Sequence, residues 1–139
     1  MKIHEIMTKN VECVEPTLPI AKAAEKMRDL DIGFLPICEN DKLTGAVTDR
    51  DITIRSVAQG RDPRLAPVSE IMTQDIFYCY DDEDVEHVAL YMQEKEVRRI
   101  VILNRQKRLV GVVSVGDIAK TSGEGELAGE TLGQIAEAA

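Results

Sequence analysis

The chain has 139 residues, 44% of them apolar and 30% charged, and a net charge of −8. That length buries one sizeable core or two small lobes, and the acidity sets long-range repulsion against DNA and RNA. No run approaches the ~20 apolar residues that a membrane-spanning helix needs, and the charged start Met-Lys-Ile-His-Glu-Ile-Met-Thr does not resemble a signal peptide, so a cytoplasmic protein with no nucleic-acid and no membrane partner is expected.

In chain order, a short helical turn ends at Met7-Thr8, and a small strand is predicted over 11–14. An amphipathic helix follows Pro19 and runs to about residue 29, with Ile20, Ala23, Ala24 and Met27 on one face of a 3.6-residue period. Two apolar strands, 34–38 and 43–47, flank the polar turn Glu39-Asn40-Asp41-Lys42 and read as a hairpin. A closing helix is predicted over 49–58. The linker 61–67, marked by Pro63 and Pro67, comes next.

The sequence then repeats itself. A shift that carries Ile6-Met7-Thr8 onto Ile71-Met72-Thr73, 65 residues on, also carries Ile20, Ala23, Ala24 and Met27 onto Val85, Val88, Ala89 and Met92. After one inserted residue, Gly45, Val47, Asp51 and Ile52 fall on Gly111, Val113, Asp117 and Ile118. Several matches at one offset mark a duplicated supersecondary unit. The second copy predicts a strand over 76–79, a helix capped by Asp81 or Asp82, strands over 100–103 and 109–113 around a five-residue polar turn, and a closing helix over 115–120. Each repeat alone, at about 50 residues, buries little apolar surface, so one pseudo-symmetric module is expected. Its organisation reads as repeat one over 1–60, linker 61–67, repeat two over 68–120 and a tail over 121–139, whose last part, 126–139, has the pattern of a weak helix.

Both repeats place a hydroxyl three residues before an aspartate at a strand-to-helix junction: Thr48 and Asp51, Ser114 and Asp117. Two readings stand. One is a capping box, hydroxyl and carboxylate each satisfying an orphan N–H. The other is a polyol phosphate site, the carboxylate accepting from two ribose hydroxyls while the hydroxyl and the helix amides hold phosphate. Arg50 lies at the first junction, and its guanidinium is either a phosphate ligand or a solvated surface charge.

Other chemistry is sparse. Cys13, Cys38 and Cys79 are widely spaced, and Cys13 and Cys38 sit in apolar runs as small hydrophobes. With His4 and His87 as the only histidines and neither at metal-ligand spacing, no metal site is expected. The run Asp81-Asp82-Glu83-Asp84 suits the positive end of the following helix rather than a cation loop. The chain shows no Ser/His/Asp or Cys/His set and no Gly-rich phosphate loop, so it is not expected to be an enzyme.

The Met-Thr starts, the strand Gly33-Phe34-Leu35-Pro36-Ile37 and the junction Gly45-Ala46-Val47-Thr48-Asp49-Arg50-Asp51-Ile52, duplicated in order up to about residue 120, resemble a tandem pair of cystathionine β-synthase (CBS) domains, a Bateman module. The resemblance implies an α+β fold of two β-α-β-β-α repeats packed sheet to sheet around two clefts. It implies a regulatory function, with AMP, ADP, ATP, NAD(H) or S-adenosylmethionine as ligand, no catalytic cofactor, and an unknown regulated protein and a homodimer as partners.

Carried over residue by residue, Asp51 and Asp117 would hold ribose, with Thr48 and Ser114 near ribose or phosphate. Lys9, Val11 and Ile76 belong to the segments, 9–11 and 74–76, that would enclose adenine. Phe34 and Pro36 lie on the first pocket's strand, and Arg98 and Arg99 match the position whose basic groups reach phosphate. The chain departs from the pattern where Gly33 and Phe34 replace that arginine pair in repeat one, and where Val101 stands for Pro36 in repeat two. The two sites are therefore expected to be unequal. The alternative reading is a CBS-fold interaction scaffold that binds no nucleotide.

Overall fold

The computed structural model describes residues 1–121 together with 129, 133 and 135. The expected helix over 126–139 lies outside the described residues except at Gly129, Gly133 and Ile135, which are helical. The chain forms two compact units, Glu12–Ile76 and Met1–Val11 with Phe77–Ala139, here called inner and outer from their places in the sequence. The packed units are thus not coterminous with the sequence repeats: the first eleven residues belong with the second repeat.

The inner unit contains α1 (Ile20–Leu30), β1 (Phe34–Glu39), β2 (Lys42–Thr48) and α2 (Asp49–Asp51), which runs on as a π-helical stretch, Ile52–Val57. A 3-10 turn, Val68–Glu70, precedes Met72-Thr73. Ile20, Ala23 and Met27, spaced at helical period, turn the apolar face of α1 onto Leu35, Ile37 and Val47 of the hairpin, and Val68 and Ile71 close the core. Each fully buried Ile, Leu or Val side chain among these contributes about 1.5–3 kcal/mol.

The β1–β2 turn is tight because Asn40 and Asp41 both take positive φ, 54° and 65°, the backbone of a type I′ hairpin. The strand expected over 11–14 is reduced to one parallel bridge, Val14 to Ile37. Asn10, at φ 56°, interrupts the extended run, and of residues 11–14 only Val14 is buried.

The outer unit contains a 3-10 turn at Ile3–Glu5, then β3 (Tyr78–Tyr80), α3 (Val85–Lys95), β4 (Arg99–Leu103), β5 (Leu109–Ser114) and α4 (Val115–Ala119). β3 pairs parallel with β4, and β4 antiparallel with β5. Val85, Val88, Ala89 and Met92 of α3 pack with Ile100, Ile102, Val113 and Ile118, joined by Ile3 and Ile135. The strand expected over 76–79 begins instead at Tyr78, and the N-cap of α3 is Asp84 rather than Asp81 or Asp82. Of the two expected caps, Asp82 is committed elsewhere, as is Glu83 after it. Glu83 accepts from the Tyr80 amide and from His87 Nδ1, and the Arg105 guanidinium forks onto Asp82 at 2.8 and 2.8 Å. The residue inserted between the repeats falls in the β4–β5 turn, where the Asn104 carboxamide oxygen accepts from the Gln106 and Arg108 amides and Lys107 takes φ 63°.

Both amphipathic helices end alike, on a non-glycine residue in the left-handed region: Asp31 (φ 54°) for α1 and Glu96 (φ 59°) for α3. The amide beyond each folds back onto a methionine carbonyl, Ile32 onto Met27 at 3.0 Å and Val97 onto Met92 at 3.1 Å, which closes the last turn.

Candidate ligand-binding site

Each unit carries a hydroxyl–carboxylate junction where a strand of its hairpin runs into the closing helix. In the inner unit, the Thr48 amide donates to Asp51 Oδ2 at 2.9 Å and the Asp51 amide donates to Thr48 Oγ1 at 3.1 Å. In the outer unit the Ser114 amide donates to Asp117 Oδ2 at 2.9 Å and the Asp117 amide to Ser114 Oγ at 3.1 Å. Both pairs are complete capping boxes.

The second carboxylate oxygen separates the two junctions. Asp51, with 14% of its side chain exposed, has Oδ1 3.8 Å from Arg55 Nε, and Arg55 also donates to the Ile71 carbonyl. The outer counterpart of Arg55 is Thr121, whose hydroxyl donates to the Asp117 main-chain carbonyl. Asp117 Oδ1 has no partner among the described residues.

The strands set what faces each hydroxyl. Arg99 is the cross-strand partner of Ser114, and the Arg98 carbonyl accepts from the Val115 amide at 3.0 Å. In the inner unit Phe34 is the partner of Thr48, and the Gly33 carbonyl accepts from the Asp49 amide at 3.1 Å. The Asp49 carboxylate lies over Gly33, so a Cβ at residue 33 would stand 2.8 Å from Asp49 Oδ2. Asp49 Oδ1 also accepts from the Arg50 amide, and the Arg50 side chain is exposed. Pro36 is buried and paired with Ala46, its carbonyl taken by the Val14 amide.

The Met-Thr segments border the sheets across the sequence repeats. Thr8 bridges Val112 in β5, and Thr73 bridges Ala46 in β2. Lys9 and Val11 therefore accompany Asp117, and Ile76 accompanies Asp51. Lys9, Asn10 and Val11 with Met7, Leu109 and Val110 line a cavity of about 420 Å³. It opens at the start of β5, whereas Ser114 and Asp117 lie at and beyond its end; neither lines the cavity.

Asn10 falls in the segment 9–11 expected to line a site, whereas sequence reasoning did not assign Met7, Leu109 or Val110 to one, nor the roles of Arg55 and Asp49. Gly111 carried the signal: a glycine within a strand pattern marks a close backbone approach, here by Thr8 and Met7, and Gly45 does the same for Thr73 and Met72. Arg55, four residues after Asp51 on one helical face, was legible as an ion pair.

Burial pushes the thiols of Cys38 and Cys79 up to about 12, with Cys13 beside the first and Glu83 beside the second. Neither is a nucleophile at neutral pH. Among the described residues no group of three or more His, Cys, Asp or Glu is placed to hold a metal ion, and no helix is long and apolar enough to cross a membrane.

Comparison with known proteins gives these sites a setting. The model of the CBS domain family matches residues 3–57 and again 68–124. Hypoxic response protein 1 of Mycobacterium tuberculosis is 39% identical over 118 residues, 84% of this chain and 82% of the relative. The CBS domain-containing protein YhcV of Bacillus subtilis is 36% identical over 133 residues, 96% of this chain and 94% of the relative. The crystal structure of the CBS domain pair of protein MJ0100, in complex with 5′-methylthioadenosine and S-adenosyl-L-methionine, aligns with a TM-score of 0.75 and 28% identity over 86% of this chain and 98% of the other.

Proposed function

The chain belongs to the CBS domain family, and from that premise we propose that it is a regulatory module that binds an adenosine-containing ligand and passes the binding event to a partner protein. The carrying observation is Asp117. One of its oxygens is used by the cap, and the other has no partner among the described residues, on a junction where Arg99 stands across the strand from Ser114. A carboxylate with one lone-pair set already oriented is suited to accept from vicinal ribose hydroxyls, and guanidinium groups beside a hydroxyl suit phosphate. The ligands of the MJ0100 domain pair, both adenosine derivatives, support the same class. The expected ligands remain AMP, ADP, ATP, NAD(H) and S-adenosylmethionine.

Binding would act by favouring one arrangement of the chain over another, and the partner would read the difference. No catalytic role is proposed. A homodimer is the proposed assembly, by the general preference for two-fold symmetry, and the cytoplasm the proposed location.

A thermal melt of the whole chain against that ligand panel tests the reading. A ligand at about 100 times its dissociation constant adds roughly 2.7 kcal/mol, several degrees in a chain of this length. A shift in wild type that Asp117→Ala removes supports the module. If no ligand moves the melt, the second reading takes its place: an interaction scaffold of the same fold without a nucleotide. Its supporting observation is that both hydroxyl–carboxylate pairs are closed capping boxes that need no ligand to account for them.

A further inference from the structure

Two of the three thiols meet. Cys13 and Cys38 lie on neighbouring segments of the inner unit, whereas Cys79 lies in β3 of the outer unit with Glu83 beside it. The Val14 amide donates to the Pro36 carbonyl at 3.0 Å and the Cys38 amide to the Val14 carbonyl at 2.9 Å, which seats residue 14 parallel to β1, between residues 36 and 38. Val14 and Ile37 both turn into the core. Side chains alternate along paired segments, so Cys13 and Cys38 turn to the other face, where Cys38 is buried yet outside the core cluster. There the Cys13 thiol lies within hydrogen-bonding reach of the Cys38 thiol. Burial raises the Cys38 pKa most, and Cys13 raises it further, ahead of Asp41 and Glu15. Cys13 itself is exposed, so solution chemistry reaches the pair through it.

We propose that Cys13 and Cys38 form a redox-modification site, which a low-molecular-weight disulfide closes into an intramolecular Cys13–Cys38 disulfide. The site is independent of the adenosine reading. The Cys13 thiolate attacks one sulfur of the oxidant, giving a mixed disulfide and releasing a thiolate that takes up the Cys13 proton. The Cys38 sulfur then attacks the Cys13 sulfur, the bond to the oxidant's second sulfur breaks, and that sulfur leaves as a thiol with the Cys38 proton. The pair gives up two electrons, and the oxidant is reduced to two thiols. Burial keeps Cys38 from reagents in solution, so this second step is intramolecular and slow, and contact with Cys13 is what permits it. The new bond turns the single bridge at Val14, all that remains of the strand expected over 11–14, into a covalent tie that encloses α1. In a reducing compartment the pair stays open and closes under oxidative load.

Hydroxyethyl disulfide is the probe, because it carries no charge and Glu15 and Asp41 stand beside the pair. The whole chain, treated with it in mildly alkaline buffer and then alkylated, should lose the mass of two hydrogens, and a peptide map should join Cys13 to Cys38. The oxidised chain should melt several degrees above the reduced one, and dithiothreitol should reverse the shift. Cys13→Ser, a change at an exposed position, should show neither the cross-link nor the shift. Cys38→Ala should stop at the mixed disulfide, gaining one mercaptoethanol unit on Cys13, which reads the first step apart from the second. A mixed disulfide that persists on Cys13 of folded wild type overturns the assignment. So does a Cys13 cross-link between two chains, a Cys13 that does not react, or a melting shift that survives Cys13→Ser.

Discussion

Thr8 donates its amide to the Val112 carbonyl at 2.9 Å and its carbonyl accepts from the Val112 amide at 3.1 Å, so the segment near residue 8 is hydrogen-bonded to β5. Thr73 and Ala46 make the same reciprocal pair in the inner unit, at 2.9 and 3.0 Å. Each pair depends on a neighbouring glycine. A Cβ at residue 111 would meet Met7 Sδ at 2.6 Å and the Thr8 carbonyl at 2.9 Å; one at residue 45 would meet the Thr73 carbonyl at 2.7 Å. Gly111→Ala and Gly45→Ala are therefore expected to destabilise by about 1–3 kcal/mol each, read by urea unfolding. A variant that unfolds like wild type would show that the Met-Thr segment yields at little cost.

The two candidate roles of the outer junction separate by mutation. Ser114→Ala removes the hydroxyl cap and should lower stability by about 1 kcal/mol. Asp117→Ala removes the reciprocal half of the cap and the oxygen offered to a ligand. It should therefore lose the adenosine-induced rise in melting temperature as well as stability. A ligand response that survives Asp117→Ala removes Asp117 from the site.

The thiols set an upper pH edge to stability. Burial, then neighbouring groups, push Cys38 and Cys79 from 9.0 in the unfolded chain to about 12 in the fold. Between those values the unfolded chain has released protons that the folded one retains, so stability is full below pH 9 and falls as pH climbs toward 12. Cys38→Ala/Cys79→Ala should flatten that decline in a pH series of melts. At neutral pH a thiol reagent should modify the exposed Cys13 and reach the other two only on unfolding.

Glu96 ends α3 at φ 59°, a conformation that costs a residue with a Cβ about 1 kcal/mol relative to glycine. Glu96→Gly should raise the unfolding free energy by up to about that amount. A loss of stability would mean that the Glu96 side chain makes a contribution larger than the backbone strain.

Ser56 is fully buried in the π-helical stretch, and its hydroxyl has no partner among the described residues. Removing a buried hydroxyl that makes no hydrogen bond relieves its desolvation cost, so Ser56→Ala should hold or raise the melting temperature, by about 1 kcal/mol at most. A clear drop would reveal a partner that forms in solution.

The repeat, the hairpins, the apolar faces of α1 and α3 and both capping pairs were legible in the residues, because periodicity and junction chemistry are local properties. What escaped was what depends on distant neighbours. The order of residues 10–14 hid that Asn10 would break the strand and leave only Val14 paired. The acidic run before α3 offered Asp81 or Asp82 as its cap; the helix begins later, with Asp84 as its cap, and Asp82 is held instead by Arg105 from the β4–β5 turn. Lys9 and Asp51 share a sequence repeat yet belong to different units, since sequence proximity does not say which sheet edge a segment will border. The π-helical continuation of α2 left no mark in the apolar pattern.

The membership of Met1–Val11 in the outer unit, and of the stretch up to Ile76 in the inner one, makes the dependence of the halves mutual. A chain cut within 61–67 yields two fragments, each carrying away the border segment that the other's sheet requires. Such pieces are built for complementation rather than separate existence: each would stay frayed along one edge until the other returned its missing segment. Neither sequence repeat, taken alone, contains every segment of one packed unit.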